Sequence, residues 1–282
     1  MTILVTGATG LVGREVVGQL LKAGHDVRAL TRRPAAAGLP EGVTVVEGDL
    51  ERPESLRAAL RGVERMYLFP VPHVVSDVVA MAKRAGVRQV VVLSGAETDN
   101  DAFGSGYQVV ERAVEESGLE WTHLRPGEFA GNWLDWAERV RTERVVRRPY
   151  GGAVTQPTHE ADVAAVAATV LAENGHAGMT YTFAGPEALT VAEQVQAIGV
   201  AIGQEIRFEE QDPTEARDEW IQHGYPAEVV DWLFGWWAES ARDPAPVDEE
   251  RAAVVQRLTG RPGRTFAQWA ADHAADFKQP TP

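Results

Sequence analysis

The sequence predicts an α/β protein: a doubly wound parallel sheet followed by a smaller, mainly helical C-terminal domain. Three observations predict it. Short apolar runs ended by turn residues alternate with amphipathic helical patterns through the first half of the chain. A sheet buried on both faces and joined by crossover helices reads this way. The segment "TGATGLVG" sets three glycines between the first strand and the first helix. Beyond "PYGGAVTQP" the rhythm changes to helical patterns rich in tryptophan.

Strands are expected at "TILVT" (2–6), "DVRALT" (26–31), "VTVVEG" (43–48), "RMYLF" (65–69), "QVVVLS" (89–94) and "EWTHLR" (120–125). Helices are expected from Leu11 to Ala23, Pro53 to Leu60, Val74 to Ala85 and Tyr107 to Ser117. A fifth helix is expected from Glu160 to Glu173, then a strand "MTYTF" (179–183). Thr190 and Glu193 have the spacing of an N-terminal capping box for the helix after it. A short strand "EIRFEE" follows, and the rest is helical and aromatic, with Trp220, Trp232, Trp236, Trp237 and Trp269. These changes put a soft boundary near residue 155, with residues 1–155 forming one domain and 156–282 a second packed on it.

The 282 residues are 44% apolar and 24% charged, as in soluble globular proteins. No apolar run approaches the length of a membrane span. The opening "MTILVTGATG" reads as a buried strand and turn, not as a signal peptide. There are no cysteines, which excludes disulfides, thiolate nucleophiles and Cys-based zinc sites and accords with a cytoplasmic location. No His or carboxylate spacing suggests a metal. The net charge of -14 opposes nucleic acid and anionic membranes as partners.

Gly7, Gly10 and Gly13 stand after a strand and at a helix start. Such glycines let a diphosphate approach the backbone, where the helix N-terminus offers unpaired N–H groups and the positive end of its dipole. This is the dinucleotide turn of a Rossmann-type domain. The second strand ends "LTRRP", with Arg32 and Arg33 and no carboxylate. An acid there would bond the ribose of NAD, whereas arginine suits the 2′-phosphate of NADP, so NADP(H) is expected over NAD(H) and Arg32 ahead of Arg33. Asp49 and Leu50, ending the third strand, are placed to meet the adenine.

The segments "TGATGLVG", "RRP", "GDL", "VVLSGAE", "VERAVEESGLEWTHLRPGEFAGN", "THEADVAAVA" and "YTFAGPEALT" together resemble the NmrA-like group of atypical short-chain dehydrogenases over nearly the whole chain. The resemblance implies a parallel sheet of about seven strands and a small C-terminal substrate domain. It implies that the loop from Thr6 to Gly13, including Thr9, Leu11 and Val12, holds the diphosphate and Arg32 the 2′-phosphate. Phe69, Pro70 and Val71 would line the nicotinamide ribose. Ser94 and Gly95 would close the fifth strand, and Pro126, Gly127, Glu128 and Phe129 would wall the nicotinamide. Members include quinone reductases, other reductases, and proteins that bind the dinucleotide without catalysis as redox-sensing regulators.

Many short-chain dehydrogenases use a Ser, a Tyr thirteen residues on, and a Lys four further. Ser94 and Tyr107 keep the first spacing, but position 111 is Glu. A nearby ammonium would favour the phenolate; a carboxylate one helical turn away keeps the phenol neutral. The only lysines are Lys22, Lys83 and Lys278, none in a segment expected at this crevice. The family commonly carries His at position 107 and Glu at 111, so Tyr107 is the unusual element. Two roles stay open for Tyr107: a neutral hydrogen-bond donor to substrate beside Ser94, or scaffold. Glu111 reads as structural, anchoring a helix or meeting an arginine.

His73, at the mouth of the fourth strand, is a second proton-donor candidate, and a loop His is more often simply solvated. Asn132, Trp133 and Trp136 lie past the expected nicotinamide wall. The two tryptophans read equally as caps for an aromatic substrate or as a hydrophobic seam. Three functions fit. The first is an NADPH-dependent oxidoreductase passing hydride to a quinone, enone or ketone without the Tyr–Lys relay. The second is an NADP(H) sensor acting through a protein partner, and the third a non-redox isomerase or epimerase. The exposed-aromatic potential also allows a homodimer.

Overall fold

A computed structural model describes residues 1–96, 98–99 and 104–279. Strand β1 (Thr2–Val5) leads through the glycine turn into helix α1 (Leu11–Lys22). Then come β2 (Asp26–Thr31), β3 (Thr44–Glu47), β4 (Val63–Leu68), α2 (Val75–Ala85), β5 (Gln89–Leu93), α3 (Ser105–Glu115) and β6 (Glu120–Pro126). Helix α4 (Ala137–Glu143) and the short strands β7 (Val145–Arg148) and β8 (Val154–Thr155) precede α5 (Glu160–Ala172) and β9 (Met179–Phe183). The remaining elements used below are β10 (Leu189–Thr190), α6 (Val191–Ile202), β11 (Arg207–Glu210), α7 (Pro213–Gln222) and α8 (Ala227–Arg242).

Seven strands form one parallel sheet in the order β3-β2-β1-β4-β5-β6-β9. The chain winds outward from β1 to β3, then returns to start the other half at β4. The neighbours β1 and β4 therefore flank the topological switch point, where open parallel sheets bind ligands. All five residues of β5 are buried, as a central strand covered on both faces requires. In α1 the buried residues Val12, Val16, Val17 and Leu20 recur at helical spacing. Each buried side chain of this size contributes roughly 1.5–3 kcal/mol. Beyond an acidic first turn helix α5 is apolar on all sides; it is buried along nearly its whole length and packs against α1. Gln19 Nε2 donates to the Ala161 carbonyl at 2.8 Å and fixes that pairing.

Two compact units divide the chain. The first contains residues 1–126, 160–183 and 254–261, and the second 127–159, 184–253 and the chain from Pro262 onward. The units thus interleave along the sequence. The helix expected from Pro53 to Leu60 is instead a 3-10 segment, Pro53–Arg57. It anchors Leu56 in the core. Within the second unit the capping box forms as expected: Glu193 N–H donates to Thr190 Oγ1 at 3.1 Å, and Thr190 N–H to Glu193 Oε2 at 2.7 Å. The "EIRFEE" strand does not join the large sheet; β11 pairs in parallel with β7. A separate core holds Trp133, Phe234, Trp237, Phe266 and Trp269.

Candidate functional site

In the first unit, the loop after β1 and the loop after β4 are stitched together at the switch point. Thr6 N–H donates to the Tyr67 carbonyl at 3.1 Å, Thr6 Oγ1 donates to the same carbonyl at 2.9 Å, and Phe69 N–H donates to Thr6 Oγ1 at 2.8 Å. Gly7 has φ +60°, and a Cβ there would sit 3.1 Å from Phe69 Cβ. The Phe69 side chain nonetheless stays 46% exposed, leaving an apolar platform beside the glycine turn. Gly10 caps α1, donating its own N–H to the Gly7 carbonyl at 2.9 Å and leaving the first-turn N–H groups of Leu11, Val12 and Gly13 outside the helical ladder. No acid stands in that first turn. At Gly13 a Cβ would come 2.7 Å from the Gly7 carbonyl carbon and overlap its oxygen. Only a bare backbone lets this helix start so close to the turn, and the cradle fits a dinucleotide diphosphate.

The arginines at the end of β2 fit the same group. Arg32 and Arg33 are exposed, and among the described residues neither guanidinium has a carboxylate partner. A third arginine, unnoticed in the sequence, joins them. Arg14 Nη2 donates to the Thr9 carbonyl and Nη1 to the Gly38 carbonyl, both at 3.3 Å, spanning the glycine turn and the segment after β2. Leu50 is buried in the core, and the Asp49 carboxylate accepts from Glu51 N–H at 3.1 Å, tying down the turn after β3. Val71 packs against the same core as Leu50, and His73 Nε2 pairs with Glu51 Oε2 at 2.7 Å on an exposed surface.

The Ser94–Tyr107–Glu111 group is drawn together, but not as a proton relay. The Tyr107 ring lies over Gly95: a Cβ on Gly95 would be 3.0 Å from Tyr107 Cε2. Burial pushes the Tyr107 phenol up, so it stays neutral. Ser94 is 1% exposed; its hydroxyl bonds Thr98 Oγ1 at 2.9 Å and also bonds the Glu111 carboxylate. Glu111 receives a two-pronged ion pair from Arg125, with Nε to Oε1 at 2.9 Å and Nη2 to Oε2 at 2.6 Å. Arg125 also reaches Asp99 Oδ2 at 3.1 Å. Burial works against ionisation of Glu111, yet its bonds with Arg125 and Ser94 and the nearby charges together hold it below the ordinary carboxylate range. Arg125 was not singled out in the sequence. Its one signal there is a positive charge near the C-terminal end of a strand, directly before Pro126. His123 is packed, stacked on Trp121 with ring centroids 4.4 Å apart and bonded through Nε2 to Glu115 at 3.1 Å.

In the second unit, Phe129 bridges to Thr158, and Thr158 N–H donates to the Glu128 carbonyl at 2.7 Å. The Glu128 side chain turns toward Arg148 and Thr155, and burial raises its carboxyl pKa above the usual range. Trp133 is buried and its Nε1 donates to Gln194 Oε1 at 2.6 Å; Trp136 lies beside it with ring centroids 6.4 Å apart. Asn132 is exposed. Pro126 ends β6 in the first unit. Among the described residues, no group of three or more His, Asp or Glu could hold a metal ion, and no helix is long and apolar enough to cross a membrane.

Residues 7–174 match the NAD(P)H-binding family. The chain is 42% identical to (4-alkanoyl-5-oxo-2,5-dihydrofuran-3-yl)methyl phosphate reductase of Streptomyces griseus subsp. griseus, over 98% of this chain and 99% of that one. It is 35% identical to NAD(P)H azoreductase of Xenophilus azovorans, over 98% and 99%. The NADPH-dependent quinone oxidoreductase of Escherichia coli, solved with NADPH, superposes with a TM-score of 0.77 at 26% identity, covering 96% of this chain and 99% of that one. The chain belongs to the NAD(P)H-binding family, in its NmrA-like group of atypical short-chain dehydrogenases.

Proposed function

We propose that this chain is an NADPH-dependent oxidoreductase that reduces a small quinone, enone or related conjugated acceptor without a Tyr–Lys proton relay. One observation carries the reading: the bare-backbone cradle at the β1/β4 switch point is flanked by Arg14, Arg32 and Arg33, with no carboxylate paired to them among the described residues. The cofactor, when bound, supplies hydride. The chain's own residues hold and orient. The α1 N-terminus and the glycine turn take the diphosphate, Arg32 the 2′-phosphate, and Phe69 to Val71 the apolar side of the ribose and ring. An acceptor whose reduced form is a stabilised anion needs little acid help, so a neutral Tyr107 suffices as a donor. The relatives named as reductases of a phosphorylated dihydrofuranone, of azo compounds and of quinones support an electron-poor conjugated acceptor.

The test is loss of NADPH absorbance with a panel of quinones, azo dyes, enones and dihydrofuranones. Turnover of at least one class is expected; tight NADPH binding with no acceptor reduced would overturn the reading. Cofactor choice is checked by Arg32→Ala. Losing a charge-assisted phosphate contact should raise the KM for NADPH about tenfold or more while leaving that for NADH within about twofold. Equal changes for both cofactors would remove Arg32 from phosphate recognition. For Tyr107→Phe, loss of one neutral donor should lower kcat by less than about tenfold. A fall of about a hundredfold or more would instead mark Tyr107 as a general acid.

A further inference from the structure

We propose that Arg148 is the anion-binding residue of a substrate subsite inside the second unit, taking a phosphate monoester or carboxylate group of the acceptor on the edge of its guanidinium. The proposal rests on the reductase reading above and narrows its acceptors to those that carry an anionic substituent.

Arg148 ends β7 and is 6% exposed. Its guanidinium carbon lies 4.3 Å from the ring centroid of Trp237 and 5.3 Å from that of Trp133. Indole rings against the guanidinium hold it in place and leave its N–H donors to be used at the edge. The slot is built to stay in place. Trp133 Nε1 is held by Gln194 Oε1 at 2.6 Å, and Gln194 Nε2 in turn donates to Thr155 Oγ1 at 3.0 Å and the Leu189 carbonyl at 3.1 Å. Trp237 packs against Phe234 and Trp220 with centroids 5.5 and 5.6 Å away. Such fixed walls are what a preorganised recognition group requires.

The charge of this group is faced by Glu128 but by no hydrogen-bonded acid. Other arginines of the unit meet acids: Arg139 with Glu219, Arg147 with Glu143 at 2.7 Å and Glu209 at 2.8 Å, and Arg217 with Asp231 at 2.6 Å. Among the described residues no carboxylate is hydrogen-bonded to Arg148, and its Nε is fully enclosed with no acceptor. The facing acid, Glu128, is itself incompletely satisfied: Oε2 is enclosed without a donor. Burial favours the neutral form of that carboxyl, which makes it a weak counter-ion. A buried cation with no acid hydrogen-bonded to it is costly to fold, and a leucine or methionine would fill the space between two tryptophans without that cost. A planar fork of donors in an aromatic slot has the chemistry to bind an oxyanion through paired charge-assisted hydrogen bonds.

The test uses titration calorimetry on the full chain. NADP+ is titrated first, which reports on the cofactor reading separately and fills the other phosphate-binding turn. Methyl phosphate and, in a parallel arm, acetate are then titrated into the NADP+-saturated protein. The expected result is one binding equivalent for at least one probe. The two arms distinguish a phosphate ester from a carboxylate as the natural substituent. Arg148→Met, which keeps the packing, should weaken that binding about tenfold or more and leave NADP+ affinity unchanged. If the methionine variant fails to fold, Arg148→Lys should bind the probe several-fold more weakly than the native chain, because it keeps the charge and loses the fork. Absence of binding for both probes in the native chain, or native affinity in the folded variants, would overturn the proposal.

Discussion

Replacing Gly13 with alanine is expected to weaken NADPH binding by about a hundredfold or more, while Gly18→Ala in the same helix leaves it unchanged. The two substitutions add the same methyl group to α1. At Gly13 that methyl overlaps the Gly7 carbonyl oxygen and comes 3.0 Å from Ala8 Cα, all backbone atoms with no rotamer to yield. The helix start and the turn must then separate, and the N–H groups that would face a diphosphate lose their aim. Overpacking of this kind also costs about 1–3 kcal/mol of stability. At Gly18 nothing lies within 4 Å of the added Cβ. There alanine removes backbone entropy from the unfolded chain and favours the helix by about 0.5–1 kcal/mol. Fluorescence titration with NADPH and thermal unfolding of both variants give the contrast: one loses affinity and stability, the other gains stability at constant affinity. Native affinity in Gly13→Ala would show that the close approach at the turn has no part in cofactor binding.

That contrast also marks what the sequence could disclose. Residues whose role is fixed by their immediate neighbours were readable: the glycine turn, the buried strands, the Thr190–Glu193 cap and the missing acid after β2. Each is a local arrangement of a few consecutive residues. Less was readable wherever distant segments decide. The pairing of α5 with α1 through Gln19 and Ala161 joins residues 142 positions apart, and it makes the two units interleave. The segment after Pro53 has helix-forming residues, yet it has room only for a 3-10 turn before Gly62, at φ +71°, turns the chain into β4. Arg14 looked like an ordinary surface residue of a helix until the Gly38 carbonyl stood opposite it. Arg148 sits in an "RR" pair whose members have opposite fates: Arg147 pairs with two acids, and Arg148 turns into the aromatic interior. Strand parity separates the two only once β7 is known to be a strand.

Arg125→Met is expected to cost about 3–5 kcal/mol near neutral pH, the usual penalty for stranding one partner of a buried ion pair. Glu111 would keep its buried position and its bond with Ser94 but lose both prongs of the guanidinium. The pH dependence has a definite sign. In the native chain the folded-state pKa of Glu111 lies below its ordinary value, so its contribution is present above the unfolded carboxyl pKa. It is lost as pH falls through the lower folded value. In the variant, burial no longer has an opposing cation and raises the carboxyl pKa instead. Protonation then relieves the strain, so the deficit should be largest at neutral pH and shrink in mildly acidic buffer. Denaturant unfolding at several pH values checks this, and a deficit that does not vary with pH would rule out an ionised Glu111 as its source. Glu111→Leu combined with Arg125→Met should recover most of the loss, since paired apolar replacement of a buried ion pair is often neutral or better. The same pair explains why Tyr107 is no base. The cation paired with Glu111 belongs to β6, and Glu111 and Asp99 both draw on it. Little positive field is left to favour a phenolate, and burial disfavours one further. The pH profile of kcat should therefore lack a limb from tyrosine ionisation, and Tyr107→Phe should leave that profile's shape unchanged.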